Sequence, residues 1–305
     1  MTRDEVRPDT ASLNRFTDTA EIATTGVIRA YSTSFGLATR LLGRRHRQHV
    51  RNVYAMVRIA DEIVDGVAAE AGLDAGAQSA ALSEYADGTH RAMSTGYSSN
   101  IVLHAFARTA RVCGIGEDLT RPFFDSMRDD IAHPGVAPAG IRGHDAASHQ
   151  RYVYGSAEVV GLMCLRIFLR DESTSDSERA ALEHGARQLG AAFQNVNFLR
   201  DLAEDTDRLG RDYLSDGDRL TDEGRDAWVR TVRAQLSDAR ETIPLLPRDA
   251  RAAVRSALGL FEALTRRVAR TPAETLYRRR VRVPDPVKAT IAARALIVSS
   301  LERRR

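Results

Sequence analysis

Lysine is almost missing from this chain. Lys288 is the single lysine among 44 basic residues, and the rest are arginine, a bias read as genome composition rather than function. Cysteine is scarce too. Cys113 and Cys164 sit in apolar helical surroundings, which excludes a disulfide framework and fits buried thiols in a reducing compartment. Long apolar runs are lacking: nothing approaches the ~18 uninterrupted residues of a membrane span. Met1 to Asn14 is polar, carries Pro8 and has no apolar core of signal-peptide type. A cytoplasmic protein is expected, with peripheral contact at the inner face of a membrane left open. Excess charge is also lacking. A net charge of +3 gives no ground for nucleic-acid binding, and none is expected. There is no Gly-rich dinucleotide fingerprint, no strand-like alternation, no fixed-period repeat and no composition break.

What remains is helical. With 43% hydrophobic and 28% charged residues, the composition is that of a globular domain with a sizeable core. The expected fold class is all-α: a flexible tail over 1–16, then one domain over 17–305. Helices are expected from 17 or 18 to 32, then over 46–65 with Gly66 as its cap, 78–93, 101–113 and 117–131. Further helices are expected over 148–170, then from a Ser177 cap to 206, and over 221–243, 247–269 and 286–303. Residues 67–76 and 133–138 read as loops. Glycine is costly inside a helix, by ~1 kcal/mol against alanine. Gly155 and Gly161 therefore mark either tight packing or room for a ligand.

One stretch organises the rest. Gln194, Asn197, Asp201 and Asp205 are spaced 3, 4 and 4, which puts them on one stripe of a helix. Tyr54, Arg58, Asp61 and Asp65, spaced 4, 3 and 4, form a second stripe. Carboxylates one turn apart repel each other, and a hard divalent cation offsets that repulsion. A solvated acidic face is the plain alternative for either stripe alone. Two such helices face to face would place four carboxylates around one cavity, able to clamp a diphosphate through metals. The hydroxyl cluster at Ser32, Thr33 and Ser34 is either a helix cap or an anion site.

Three blocks carry a resemblance. They are Tyr31-Ser32-Thr33-Ser34-Phe35 running on to Arg58-Ile59-Ala60-Asp61-Glu62-Ile63-Val64-Asp65; Tyr152-Val153-Tyr154-Gly155-Ser156-Ala157-Glu158-Val159-Val160-Gly161; and Gln194-x-x-Asn197-x-x-Arg200-Asp201-x-x-x-Asp205 with Arg211-Asp212-Tyr213-Leu214. In this order and spacing, from about residue 20 to 295, the chain resembles the squalene/phytoene synthase family of head-to-head prenyl transferases. The resemblance implies an isoprenoid synthase fold around a central cavity. It implies Mg²⁺, with Mn²⁺ as an alternative, on Asp61, Asp65, Asn197, Asp201 and Asp205, and two prenyl diphosphates as substrates. Ser32, Ser34, Arg58, Gln194 and Arg200 would bind substrate, which favours the anion-site reading of the hydroxyls. Ala157 and Gly161 would line the same site. Tyr54 and Tyr152 would stand near the reacting carbons, and Arg211 and Tyr213 on a closing loop. The implied reaction joins two geranylgeranyl diphosphates to phytoene through a cyclopropylcarbinyl diphosphate, without NADPH.

Rivals follow from the same resemblance. A squalene, presqualene diphosphate or dehydrosqualene type of enzyme would use two farnesyl diphosphates. A non-catalytic binding or assembly member would have lost metal carboxylates, which this chain retains. Three positions depart from the family pattern: Tyr31, often histidine in relatives; Glu158, usually a small glycine; and a longer loop between Asp205 and Arg211. Glu158 either enters the pocket or pairs with Arg151 or Arg166, and the structural pair is expected. Arg278, Arg279, Arg280 and Arg282 form a basic cluster that could meet an anionic membrane surface.

Overall fold

Short polar residues and glycines punctuate the chain, and the helices follow from them. The computed structural model describes residues 10–132, 142–143, 146–209, 211–212 and 219–302, without the side chains of 132, 142–143, 146, 203–209 and 211–212. The first helices are α1 (Ala11–Tyr31), α2 (Thr33–Arg40) and α3 (Arg44–Val64). A short α4 (Val67–Glu70) precedes α5 (Ala75–Thr95), α6 (Ile101–Cys113) and α7 (Glu117–Ala132). Asn100 starts α6 by accepting the Val102 and Leu103 amides, and Gly114, at φ 66°, ends it. That helix has the expected bounds because both signals are local.

Elsewhere the boundaries move. α1 begins at Ala11, inside the expected tail; its first turns are exposed, and burial starts only at Thr17, so the apolar pattern is silent there. Residues 67–76 contain α4 rather than only loop. α3 ends with Asp65 as its cap residue, and Gly66 follows at φ 144°. α10 (Asp176–Leu209) is capped by Ser175, not Ser177. The Ser175 hydroxyl accepts the Glu178 amide at 3.3 Å, and the Glu178 carboxylate accepts the Ser175 amide at 3.1 Å, a reciprocal capping box. The expected loop at 133–138 lies outside the described residues.

The run expected as one helix from 148 to 170 is α8 (Ala146–Val153), a π-turn (Tyr154–Glu158) and α9 (Val159–Leu169). The Val159 amide donates to the Tyr154 carbonyl, five residues back. Glycines explain the widening. A Cβ on Gly155 would lie 2.3 Å from the Pro122 carbonyl oxygen of α7. One on Gly161 would lie 2.5 Å from the Ala186 carbonyl oxygen, and one on Gly190 2.5 Å from that of Ala157. Backbones therefore pass in contact here; tight packing is the role of Gly155, and Gly161 combines it with a place in the cavity wall. The segment Ala147–Leu169 is long and apolar enough to span a membrane by composition, yet 56% of it is buried among its neighbours.

The chain ends with α11 (Asp222–Thr242), α12 (Arg248–Val268), the short α13 (Ala273–Leu276) and α14 (Asp285–Leu301). One apolar core joins α3, α5, α6, α7, α9, α10 and α12, with Phe106, Phe123 and Phe124 fully buried. Among the described residues, β-structure is limited to a two-residue parallel pair, Arg142–Gly143 beside Arg211–Asp212.

Candidate functional site

α3 and α10 supply opposite walls of one cavity of about 1290 Å³. Tyr54, Arg58, Asp61 and Asp65 come from α3; Gln194, Asn197, Arg200 and Asp201 come from α10. Ser32 and Ser34 at the start of α2 line it, as do Tyr152, Ala157 and Gly161. Thirteen expected site residues thus meet in one place. The side chains of Asp205 and Arg211, and all of Tyr213, lie outside the described residues.

The polar groups gather toward the C-terminal ends of α3 and α10, and the apolar wall extends along the same helices toward their N-termini. Val50 and Val53 continue the α3 wall; Phe193, Leu189, Ala186 and Leu182 continue that of α10. Phe193 stacks on Phe261 with ring centroids 3.7 Å apart, and Phe35 stands 6.2 Å from Phe193. From Asp201 to Leu182 the wall runs ~28 Å, at 1.5 Å per helical residue.

Two carboxylates at a helix C-terminus oppose the helix dipole, and the last turn of α3 has no basic residue. The cost appears at Asp61. Burial, then the charge of Asp65, push its carboxyl up to about 8; Asp130 adds to the rise and Arg58 opposes it. Asp130, from α7, is 5% exposed and lines the cavity, and its Oδ2 accepts the Tyr152 hydroxyl at 2.8 Å. Burial also raises Tyr54 above the usual phenol value, which keeps it neutral.

A divalent cation fits these residues. The Asn197 Oδ1 is buried with no hydrogen-bond partner, an orphaned oxygen in a cavity of crowded carboxylates. Among the described residues, no three carboxylate, histidine or cysteine side chains converge on one point. A cation bound among the described residues would take one or two of the carboxylates with the amide oxygen, and oxygens of a bound ligand would complete its shell. Magnesium accepts this pattern.

Arginines balance the carboxylates. Asp201 accepts two bonds from Arg200, at 2.9 and 2.5 Å, and one from the Arg280 Nη2 at 3.4 Å, and the Arg280 Nε stands 2.7 Å from it as an ion pair. Arg58 pairs with Glu62, stands 3.9 Å from Asp61, and lies over the Tyr31 ring at 4.6 Å. Tyr31, one of the departures, is thus a platform for a site arginine. Ser32 caps α2 by accepting the Phe35 amide at 3.0 Å, so the cap reading of the hydroxyl cluster holds at a cavity-lining position.

One expectation is corrected. Glu158 does form a structural pair, but with Arg187 of α10, whose Nε donates to it at 2.7 Å, and not with Arg151 or Arg166. The π-turn and the tight α10 crossing bring these residues together. The four arginines of the cluster at 278–282 are exposed; Arg280 also pairs with Asp201, and Arg278 with Glu274.

Sequence reasoning missed Asp130, Arg280, Ser156 and Lys288, all of which line the cavity. Asp130 carries a signal, since it falls on the apolar face of Phe123, Met127 and Ile131. Lys288 carries one as the single lysine. Arg280 comes from a loop that only tertiary structure brings to Asp201.

Known proteins resemble the chain in the same terms. A family model for squalene/phytoene synthase matches residues 28–226. The chloroplastic phytoene synthase 3 of Zea mays is 30% identical over 227 residues, which span 70% of this chain and 49% of the maize protein, about half its length. The phytoene synthase of Mycobacterium bovis is 30% identical over 299 residues, spanning 90% of each chain. A solved dehydrosqualene synthase in complex with ligand superposes with a TM-score of 0.72 over 94% of this chain and 98% of its own, at 19% identity. That likeness is one of fold, an all-α isoprenoid synthase fold.

Proposed function

The chain belongs to the squalene/phytoene synthase family, and from that premise we propose that it joins two geranylgeranyl diphosphates head to head to give phytoene. The coarser reading, a prenyltransferase of the phytoene/squalene synthase type, rests on the family itself. One observation carries the proposal: two acidic stripes, on α3 and α10, line a single cavity whose remaining wall is apolar and aromatic. Its ~28 Å length along α10 supports a C20 substrate. Such a chain, extended, reaches about 20 Å at about 1.25 Å of rise per ~1.5 Å carbon–carbon bond.

Asp61, Asp65, Asn197, Asp201 and Asp205 would between them hold divalent cations, which would supply charge neutralisation at the departing diphosphate. The protein's own groups do the rest. Arg58, Arg200 and Arg280 place fixed positive charge where diphosphate oxygens collect. When the allylic C1–O bond breaks, the electron pair leaves with the diphosphate and the carbon chain becomes a cation. Phe35, Phe193 and Phe261 offer aromatic faces to that cation and exclude water. The hydroxyl proton of Tyr152 is committed to Asp130, which fixes the ring against the cavity. Attack by a double bond of the second chain, with loss of a proton, closes a cyclopropylcarbinyl diphosphate; departure of its diphosphate, rearrangement of the cation and loss of a second proton give the product. Greasy substrates and product suit a cytoplasmic protein working beside the membrane.

Purified protein with Mg²⁺ should convert geranylgeranyl diphosphate, without NADPH, to a hydrocarbon with a conjugated central triene, identified by mass and absorbance. Turnover of farnesyl diphosphate alone, or a stall at the cyclopropyl diphosphate until NADPH is added, would replace this reading with the squalene-type one.

A further inference from the structure

A second cavity, of about 630 Å³, adjoins the first where α12 ends. Six arginines line it: Arg266 and Arg267 from the last turn of α12, Arg270 just beyond, and Arg279, Arg280 and Arg282 from the loop before α14. Among the described residues, no acidic side chain lines it. Arg280 is engaged with Asp201. Among the described residues, the other five guanidiniums make no ion pair and no hydrogen bond. Two of the six have an ordinary structural role, since cations in a last helical turn complement the dipole. That leaves Arg270, Arg279 and Arg282 facing the same space with no structural partner. Like charges gathered around one exposed cleft repel, and an anion of high charge density removes the repulsion.

We infer that this arginine-lined cleft binds a phosphate-bearing anion. Planar guanidinium forks match phosphate oxygens two at a time. The cleft is continuous with the acidic cavity, because Arg280, Val281 and Arg282 line both. An anion held here sits at the mouth of the site and outside its carboxylates. Pyrophosphate as the natural occupant rests on the proposed condensation, which releases it. The anion chemistry rests on the arginines alone. A phospholipid headgroup offers the same oxygens.

The test is calorimetric titration of the full chain with inorganic pyrophosphate in EDTA, beside flotation with phosphatidylglycerol or phosphatidylcholine vesicles. Two double variants are compared with wild type: Arg266→Gln with Arg270→Gln, and Arg279→Gln with Arg282→Gln. Neither breaks a described ion pair or hydrogen bond, so both should fold; the first also gives up a last-turn cation of α12 and should melt slightly below the second. Arg278→Gln, which removes a residue paired with Glu274, is the control and should bind as wild type. Each double variant should bind pyrophosphate about tenfold or more weakly, the loss expected when charge-assisted hydrogen bonds are removed. If only phosphatidylglycerol vesicles bind, and the double variants lose them, the headgroup is the source and the cleft is still the site. The inference is overturned if wild type binds neither ligand, or if both double variants bind as wild type does. Absence of prenyl diphosphate turnover by wild type, with pyrophosphate binding intact, would count against the proposed condensation and leave this site standing.

Discussion

Asp61 and Asp201 occupy matching places on facing helices, yet they stand in opposite electrostatic situations. Asp61 is crowded by Asp65 and Asp130, and its carboxyl is raised to about 8. In the unfolded chain the same group titrates near ~3.9. Between those values the native state holds the proton more tightly than the unfolded state does. Stability from this group is therefore complete below about pH 4 and declines as pH rises toward 8. Without divalent cations, Asp61→Asn should melt above wild type at pH 8, and the two should converge near pH 4. Asp201 is held by Arg200 and Arg280 instead. Asp201→Asn leaves two guanidiniums facing each other and should melt below wild type. Thermal melts in EDTA at both pH values measure the two effects. Equal shifts of the same sign would contradict these assignments. The acidic stripes were legible in the spacing of the residues, but this asymmetry was not. Nothing in the sequence links Arg280 to Asp201, and Asp130 betrays itself only as a charge on an apolar face.

At the scale of elements, the crossing of α10 with the π-turn decides where the site residues stand. Gly190 meets the Ala157 carbonyl oxygen, so a Cβ there would lie 2.5 Å from it and 3.0 Å from the Glu158 Cα. Both are backbone atoms, which cannot swing aside. Gly190→Ala should destabilise by about 1–3 kcal/mol, the usual cost of overpacking. The denaturation midpoint measures it, and an unchanged midpoint would mean that the crossing is loose. Gly26→Ala, where a Cβ meets nothing within 4 Å, is the matching control. Helix ends were legible wherever caps are local, as at Asn100 and Gly114. The π-turn was not, because i→i+5 bonding answers to the backbone packed across from it. The Glu158–Arg187 pair was missed for the same reason: α10 brings its arginine, while the nearer arginines in sequence stay on the same helix run.

At the scale of the molecule, the fold turns two short acidic patterns into one reaction chamber. α3 and α10 each carry carboxylates toward one end and apolar residues toward the other, so the cavity inherits that polarity along its length. Arginines from the same two helices, Arg58 and Arg200, and Arg280 from the loop before α14 meet the carboxylates at the charged end. The all-α class and the one-cavity arrangement could be read from periodicity and from the paired D-x-x-x-D spacing, since both are helical geometry. The depth of the cavity and the arginine-lined cleft beside it could not, because loops and helix termini distant in sequence build them. The central claim is that both stripes serve one reaction. The measurement that bears on it most directly is prenyl diphosphate turnover by Asp61→Asn and Asp201→Asn beside wild type in Mg²⁺. Each folded variant should lose turnover by a factor of about 100 or more, a deficit of at least ~2.7 kcal/mol in transition-state stabilisation. Wild-type turnover in either folded variant would contradict the claim.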